Sequence, residues 1–247
     1  MLIDTHCHIH EPEAKDVIGQ LQRAHSAGVN KVLCVGTSQQ SSKQAVKFAS
    51  LHPEAYAIIG VHPHESKHGY SEIEQLASSK KVVGIGEIGL DYYYSHSPKA
   101  VQIAALKAQL DVAAKHNLPV SFHIRDGFDD FWPIIEKYPT IKGVIHSFTD
   151  SSENLQKALN RGFYIGLNGI STFTKDEAQK ALFDSIPLER ILFETDAPFL
   201  TPAPYRGKIN EPGYVRLIAE YHAKRRGITL EEISKITSKN ARALFAI

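Results

Sequence analysis

Two histidines near the start of the chain are spaced to bind one metal ion. Leu2-Ile3-Asp4-Thr5-His6-Cys7-His8 begins apolar and ends in a His-x-His pair. Alternate side chains of a strand share a face, so Asp4, His6 and His8 point one way and Thr5 and Cys7 the other. Two imidazoles leaving a strand end side by side can hold one cation without contorting the backbone. Alone the pair is a moderate signal. It gains weight because His62, Glu87, His123, His146, Asn168 and Asp196 each follow another short apolar run. Imidazoles and carboxylates recurring at strand ends form a metal-ligand set, against the competing explanation of a structural hydrogen-bond network.

The elements that must position these residues alternate. Helical periodicity covers residues 13–27 and stops at Gly28. Strand patterns cover 31–36, 56–60, 81–86, 119–123, 143–146, 162–167 and 190–195. Helices are expected over 39–51, 71–78 and from Pro98 to His116, with one or two more in the tail from Pro212 to Ile247. Near-continuous apolar strands alternating with helices mean a parallel sheet covered on its faces. Eight such units in about 250 residues is the count of a (β/α)8 TIM barrel, whose active site lies at the C-terminal strand ends. We expect one domain over 1–247. The remaining histidines divide: His25, His52, His116 and His222 fall in or beside helices and read as solvated, while His10, His64, His68 and His96 fall in loops.

Composition narrows the function classes. With 43% hydrophobic residues and a net charge of +1, the chain suits a soluble domain with a large core, and any nucleic-acid contact must come from a local patch. The two cysteines, Cys7 and Cys34, both lie in expected strands and read as core thiols, which fits a reducing cytoplasm. No apolar run is long enough to span a membrane, and no signal-type segment opens the sequence. Gly84-Ile85-Gly86-Glu87-Ile88-Gly89 matches a dinucleotide-binding fingerprint, but that turn must open a helix. Here Leu90-Asp91-Tyr92-Tyr93-Tyr94 follows instead, so the glycines read as close packing and a tight strand exit.

Seven motifs together resemble the TatD family of metal-dependent deoxyribonucleases. They are Asp4-Thr5-His6-Cys7-His8, Gly60-Val61-His62-Pro63-His64, Gly86 to Tyr92, Pro119-Val120 with His123-Ile124-Arg125-Asp126, Gly143 to Phe148, Glu194 to Pro198, and Arg206-Gly207-Lys208 with Asn210-Glu211-Pro212. The resemblance implies an amidohydrolase-type barrel, one to three divalent metals and 3′–5′ exonuclease or related DNase activity. Asp150 and Leu106 depart from the family's usual residues, the first near the mouth and the second in packing.

The chemistry follows from the donor types. Phosphodiester hydrolysis needs an activated water and an offset for charge in the transition state, which two metals about 4 Å apart supply. His6 and His8 would hold one ion with Asp196, and His123 and His146 a second, with Glu87 bridging. A metal-bound hydroxide would attack, and Asp196 would accept its proton. Asp4 and Glu194 could orient the ligands, or be buried polar packing. Mixed imidazole and carboxylate donors admit Zn, Mg, Mn, Fe or Ni.

His62, Arg125 and Arg206 are the candidate phosphate donors, with Tyr92 as a possible stacking surface for a base or part of a hydrophobic lid. Arg125 could instead pair with Asp126 or Asp129. Such a narrow mouth favours single-stranded 3′ ends of DNA and few neutralised phosphates. A second reading keeps the metal centre but changes the bond: an ester or amide hydrolase, such as a D-aminoacyl-tRNA deacylase.

Overall fold

Eight strands organise the molecule, in a computed structural model describing residues 1–12 and 14–247. They are β1 Leu2–Cys7, β2 Val29–Val35, β3 Ala55–Ile59, β4 Val82–Asp91, β5 Val120–Arg125, β6 Gly143–Ile145, β7 Tyr164–Leu167 and β8 Ile191–Phe193. They are hydrogen-bonded in sequence order within one sheet. β3–β4, β4–β5, β5–β6 and β7–β8 pair in parallel. Between and after them come α1 Val17–Ser26, α2 Gln39–Leu51, α3 Ile73–Leu76, α4 Lys99–His116, α5 Phe128–Ile135, α6 Ser152–Asn160, α7 Ile170–Phe173, α8 Glu177–Ser185, α9 Val215–Arg226 and α10 Leu230–Phe245. This is the (β/α)8 barrel that the alternation of apolar strands and helices led us to expect.

By their internal contacts the residues form two compact units. The terminal unit comprises Met1–Leu33 and Ser147–Ile247; the central unit is the continuous stretch Cys34–His146. In the terminal unit every residue of β1 is buried. Its outward-alternating side chains are spent on neighbours: Thr5 Oγ1 donates to Phe193 O at 3.0 Å and Cys7 Sγ to Leu33 O at 3.4 Å. α10 starts from a reciprocal cap between Thr229 and Glu232. It fastens the beginnings of two strands, with Ser238 Oγ donating to Met1 O at 2.6 Å and Asn240 Nδ2 to Ile191 O at 2.9 Å. In the central unit, α4 opens after Pro98 and ends where Asn117 takes the left-handed conformation at φ 52°.

Several boundaries differ from expectation. The first helix starts at Val17 rather than residue 13, and Glu13 lies outside the described residues. Asp16, at φ 52°, is left-handed and cannot belong to the helix. The expected helix over 71–78 shrinks to one turn, and a 3-10 helix, Pro63–His68, follows β3. β4 is the instructive case. We expected it to end at Gly86, but it continues to Asp91. Gly89 has φ +155°, and a Cβ there would collide with the backbone oxygen of His123. The glycine lets β5 approach β4, with Gly89 paired to His123 and Asp91 to Arg125. Both cysteines are buried free thiols. His222, expected to be solvated, is 0% exposed: α9 turns it inward, where Nε2 meets Ser171 Oγ at 2.9 Å and the ring stacks on Phe193. No helix among the described residues is long and apolar enough to cross a membrane.

Candidate metal centre

In the terminal unit the site is built by backbone pairing just beyond β1 and β8. Asp196 N donates to His6 O at 2.9 Å and His8 N to Ala197 O at 2.7 Å, with Cys7 and Ala197 forming a parallel bridge. This register sets one carboxylate against two imidazoles. Asp196 Oδ1 lies 3.3 Å from His8 Nε2 and 3.7 Å from His6 Nε2. The two rings meet edge to face, with centroids 5.0 Å apart. Asp196 itself sits at φ +59°, a region that aspartate tolerates better than most side chains. Asp4 lies behind the pair, accepting from Thr195 N at 2.8 Å, Thr195 Oγ1 at 2.6 Å and, more weakly, His6 N at 3.4 Å. Burial pushes its carboxyl up to about 8, against the pull of the Thr195 hydrogen bonds. Glu194 accepts from Ser147 N at 2.7 Å, and Asn168 donates to Ser147 Oγ at 2.7 Å.

In the central unit a different construction brings similar donors together. Glu87 Oε1 lies 2.7 Å from His123 Nδ1, 3.5 Å from His62 Nε2 and 3.8 Å from His146 Nε2. His62, Glu87 and His123 each offer one ligand atom, all within 4.8 Å of one another. The far nitrogen of His123, Nε2, is 3.0 Å from Asp91 Oδ2, which also lies 3.0 Å from His64 Nε2. Gln102 fixes Asp91 by its backbone, accepting from Asp91 N at 2.8 Å and donating to Asp91 O at 2.9 Å.

These contacts set the protonation. Burial drives the His123 imidazole down, but its hydrogen bonds to Asp91 and Glu87 outweigh burial and hold it up at about 9. Burial alone would raise the Asp91 carboxyl; the His123 and Tyr94 hydrogen bonds reverse that and hold it well below the usual range. His62 is kept neutral by burial, with the His123 ring acting in the same direction. Its Nδ1 accepts from His64 N at 3.2 Å, which leaves Nε2 toward Glu87. Both sets are imidazoles converging on carboxylate oxygen, the donor chemistry that suits a divalent transition metal.

The remaining expected residues divide. His62, expected as a phosphate donor, is buried against Glu87 in a ligand-like position. Arg125 makes no ion pair with Asp126 or Asp129 among the described residues; its guanidinium lies 3.9 Å over Tyr93 and 4.8 Å over Tyr94. Arg206 lies 3.8 Å over Phe173 and donates to Thr201 O. Tyr92 spends its hydroxyl on Asp130 at 2.7 Å, under Lys99, so the tyrosines presented to solvent are Tyr93 and Tyr94. Asp91 and His64 were given no role in the sequence. The signal for Asp91 was the strand period, since Glu87, Gly89 and Asp91 alternate onto one face once β4 is continued.

Comparison with known proteins gives these two sets a context. The family model described as "TatD related DNase" matches residues 3–246. An uncharacterised metal-dependent hydrolase of Bacillus subtilis, YabD, is 37% identical over 254 residues, covering 100% of both chains. The 3′-5′ ssDNA/RNA exonuclease TatD of Escherichia fergusonii is 38% identical over 251 residues, covering 95% of this chain and 94% of that one. Among solved structures, the TatD homologue YJJV of Escherichia coli superposes with a TM-score of 0.92 at 27% identity, covering 100% of this chain and 98% of the other.

Proposed function

The chain belongs to the TatD related DNase family, and we propose that within it this protein releases nucleotides from single-stranded 3′ ends of DNA by phosphodiester hydrolysis. Membership makes it a metal-dependent hydrolase acting on ester bonds. The finer reading rests on one observation. Each unit presents imidazoles converging on a carboxylate in or just beyond the C-terminal halves of strands: His6 and His8 on Asp196, and His62, His123 and His146 on Glu87. Strand ends of that polarity are where barrel enzymes keep their chemistry.

Two divalent ions, held by His6, His8 and Asp196 and by Glu87, His123 and His146, would lower the pKa of water and offset phosphoryl charge. The protein's own groups do the rest. Asp196, within reach of two imidazoles, accepts the proton of the attacking water. Glu87 supplies the negative charge that three clustered imidazoles need before they can share cations. Arg125 and Arg206 are exposed and offer planar forks to phosphate oxygens. With a net charge of +1, few phosphates are engaged, so the log–log salt dependence of binding should be shallow, with a slope of roughly −1 to −3. The absence of disulfides fits work in a reducing cytoplasm.

The test compares a linear single strand with its circular form, and both with aminoacylated tRNA, each with and without chelator. Metal-dependent nucleotide release from the linear strand alone is expected. Equal cleavage of the circle would overturn the end-directed reading, and deacylation without nucleotide release would move the enzyme to aminoacyl esters.

A further inference from the structure

Beside the terminal-unit ligands lies a cavity of about 550 Å³ that the hydrolytic chemistry does not use. Its volume falls in the roughly 300–1,000 Å³ of small-molecule sites. Three segments line it: Ile9, one residue past His8; Ala14 to Arg23 leading into and along α1; and the loop residues Pro198, Phe199 and Ile209 to Glu211. The walls are fastened to the ligand-bearing backbone. Phe199 N donates to Asp196 O at 2.8 Å, and Asn210 N to Pro198 O at 3.1 Å. Asn210, fully buried, donates through Nδ2 to Thr195 O at 2.8 Å. Arg23 ties α1 to the same loop through Glu211 at 2.8 Å.

Two large apolar side chains on this lining are exposed, Phe199 at 61% and Ile209 at 69%. Phe199 also reaches the catalytic side, its ring centroid 6.4 Å from that of His8. Exposed apolar groups lining a cavity beside metal-ligand residues mark a binding surface. The polar groups beside them are mostly committed: Asn210 to the loop backbone, and Arg23 to Asp16 and Glu211. What is left offers a flat aromatic face, aliphatic walls, the exposed Lys15 and the buried Gln20, whose Nε2 donates to Lys15 O while its Oε1 has no hydrogen-bond partner among the described residues. That combination suits a planar ring on an anionic chain, with Gln20 Oε1 left to accept from an amino group on the ring.

We propose that this cavity receives the base of the 3′-terminal nucleotide, stacked on Phe199 and flanked by Ile209, with Lys15 facing the phosphate chain. A cavity bounded by three segments accepts one terminal base rather than a run of bases. Phe199 is then a specificity-determining residue that makes the enzyme dependent on the presence of a terminal base. The proposal rests on the exonuclease reading for its substrate.

The experiment measures binding and turnover with 5′-fluorescein single strands whose 3′-terminal nucleotide is either intact or abasic. Phosphorothioate linkages at the 3′ end serve for the binding arm. Removing the stacking face by Phe199→Ala should weaken binding of the intact strand roughly tenfold and leave the abasic strand unchanged. Phe199→Trp should restore the difference. Ile209→Ser should give a smaller loss of the same kind. Both positions are exposed, so an unchanged melting temperature serves as the folding control. Equal affinity of wild-type protein for intact and abasic strands, or equal weakening of both by Phe199→Ala, overturns the proposal. Base-dependent binding without nucleotide release would leave the cavity assignment standing and remove the exonuclease reading. Nucleotide release that is indifferent to the terminal base would do the reverse.

Discussion

The terminal and central units each gather imidazoles around a carboxylate, but by opposite means. In the terminal unit the backbone does the work: pairing beyond β1 and β8 carries Asp196 to His6 and His8, and Asp4 stiffens that pairing through Thr195 rather than through a ligand ring. In the central unit side chains hold side chains. His123 is gripped at both nitrogens, by Glu87 and Asp91, and Asp91 is gripped in turn by His64 and Gln102. Donors fixed by strand register depend on the fold as a whole. Donors fixed by a hydrogen-bond chain can be loosened one link at a time. The second construction also holds the His123 imidazole up, its hydrogen bonds to Asp91 and Glu87 outweighing burial.

The largest effect should come from the carboxylate on which three imidazoles converge. Glu87→Gln keeps the shape but removes the charge, and turnover at saturating metal should fall at least about 100-fold, with fewer ions retained after desalting. Near-normal turnover, or unchanged metal content, would show that Glu87 is not the anchor of the central set. An intermediate effect should come from the link behind it. Asp91→Asn leaves Glu87 and His123 in place but weakens the grip on the ring, and partners of this kind typically cost 10–100-fold in metal affinity. His64→Ala, which removes a partner of Asp91 rather than a hydrogen bond to His123, should cost less. A competition titration with a chromophoric chelator reads both. If Asp91→Asn binds metal as tightly as wild type, the side-chain grip is not what sets this site.

The smallest effect separates the units by acid. Burial pushes the His222 imidazole of the terminal unit down to about 3, and Arg226 adds to the shift, while Asp184 opposes it. Its folded pKa lies below the unfolded value of about 6.5. The unfolded chain therefore binds the extra proton between pH 6.5 and 3, and stability falls as pH falls through that window, by at most about 1.4 kcal/mol per pH unit from this group. His222→Phe should flatten the slope of denaturant stability against pH over that range. An unchanged slope would assign the acid sensitivity elsewhere.

The fold was legible because apolar strands and helices alternate with little interruption from β1 to β8. The ligand-type residues were legible because each ends one of those runs. What escaped the sequence were partners. Glycine normally ends a strand, so Gly86 and Gly89 hid the continuation of β4, and with it Asp91. Only the approach of the His123 backbone explains why a glycine stands at 89. His222 looked solvated because helical periodicity alone does not say which polar residue will find a buried acceptor, here Ser171. Tyr92 looked available until Asp130, from α5, took its hydroxyl.

The division into a continuous and a discontinuous unit has a consequence for the order in which the protein is made. The central set arises within the continuous stretch Cys34–His146, so all of its residues have been made before β7 begins. β1 is synthesised first, yet the oxygen that accepts from Thr5 belongs to Phe193, 188 residues later. Ser238 closes on Met1 across 237 residues. At about 5–20 residues per second, the wait for β8 alone is roughly ten to forty seconds. Throughout it a strand that is wholly buried in the folded protein has no β8 beside it and no α10 to fasten its start. A nascent chain arrested before α10 therefore carries every residue of the central set and a β1 whose start is unfastened, which makes the late helix the step that seals the first strand.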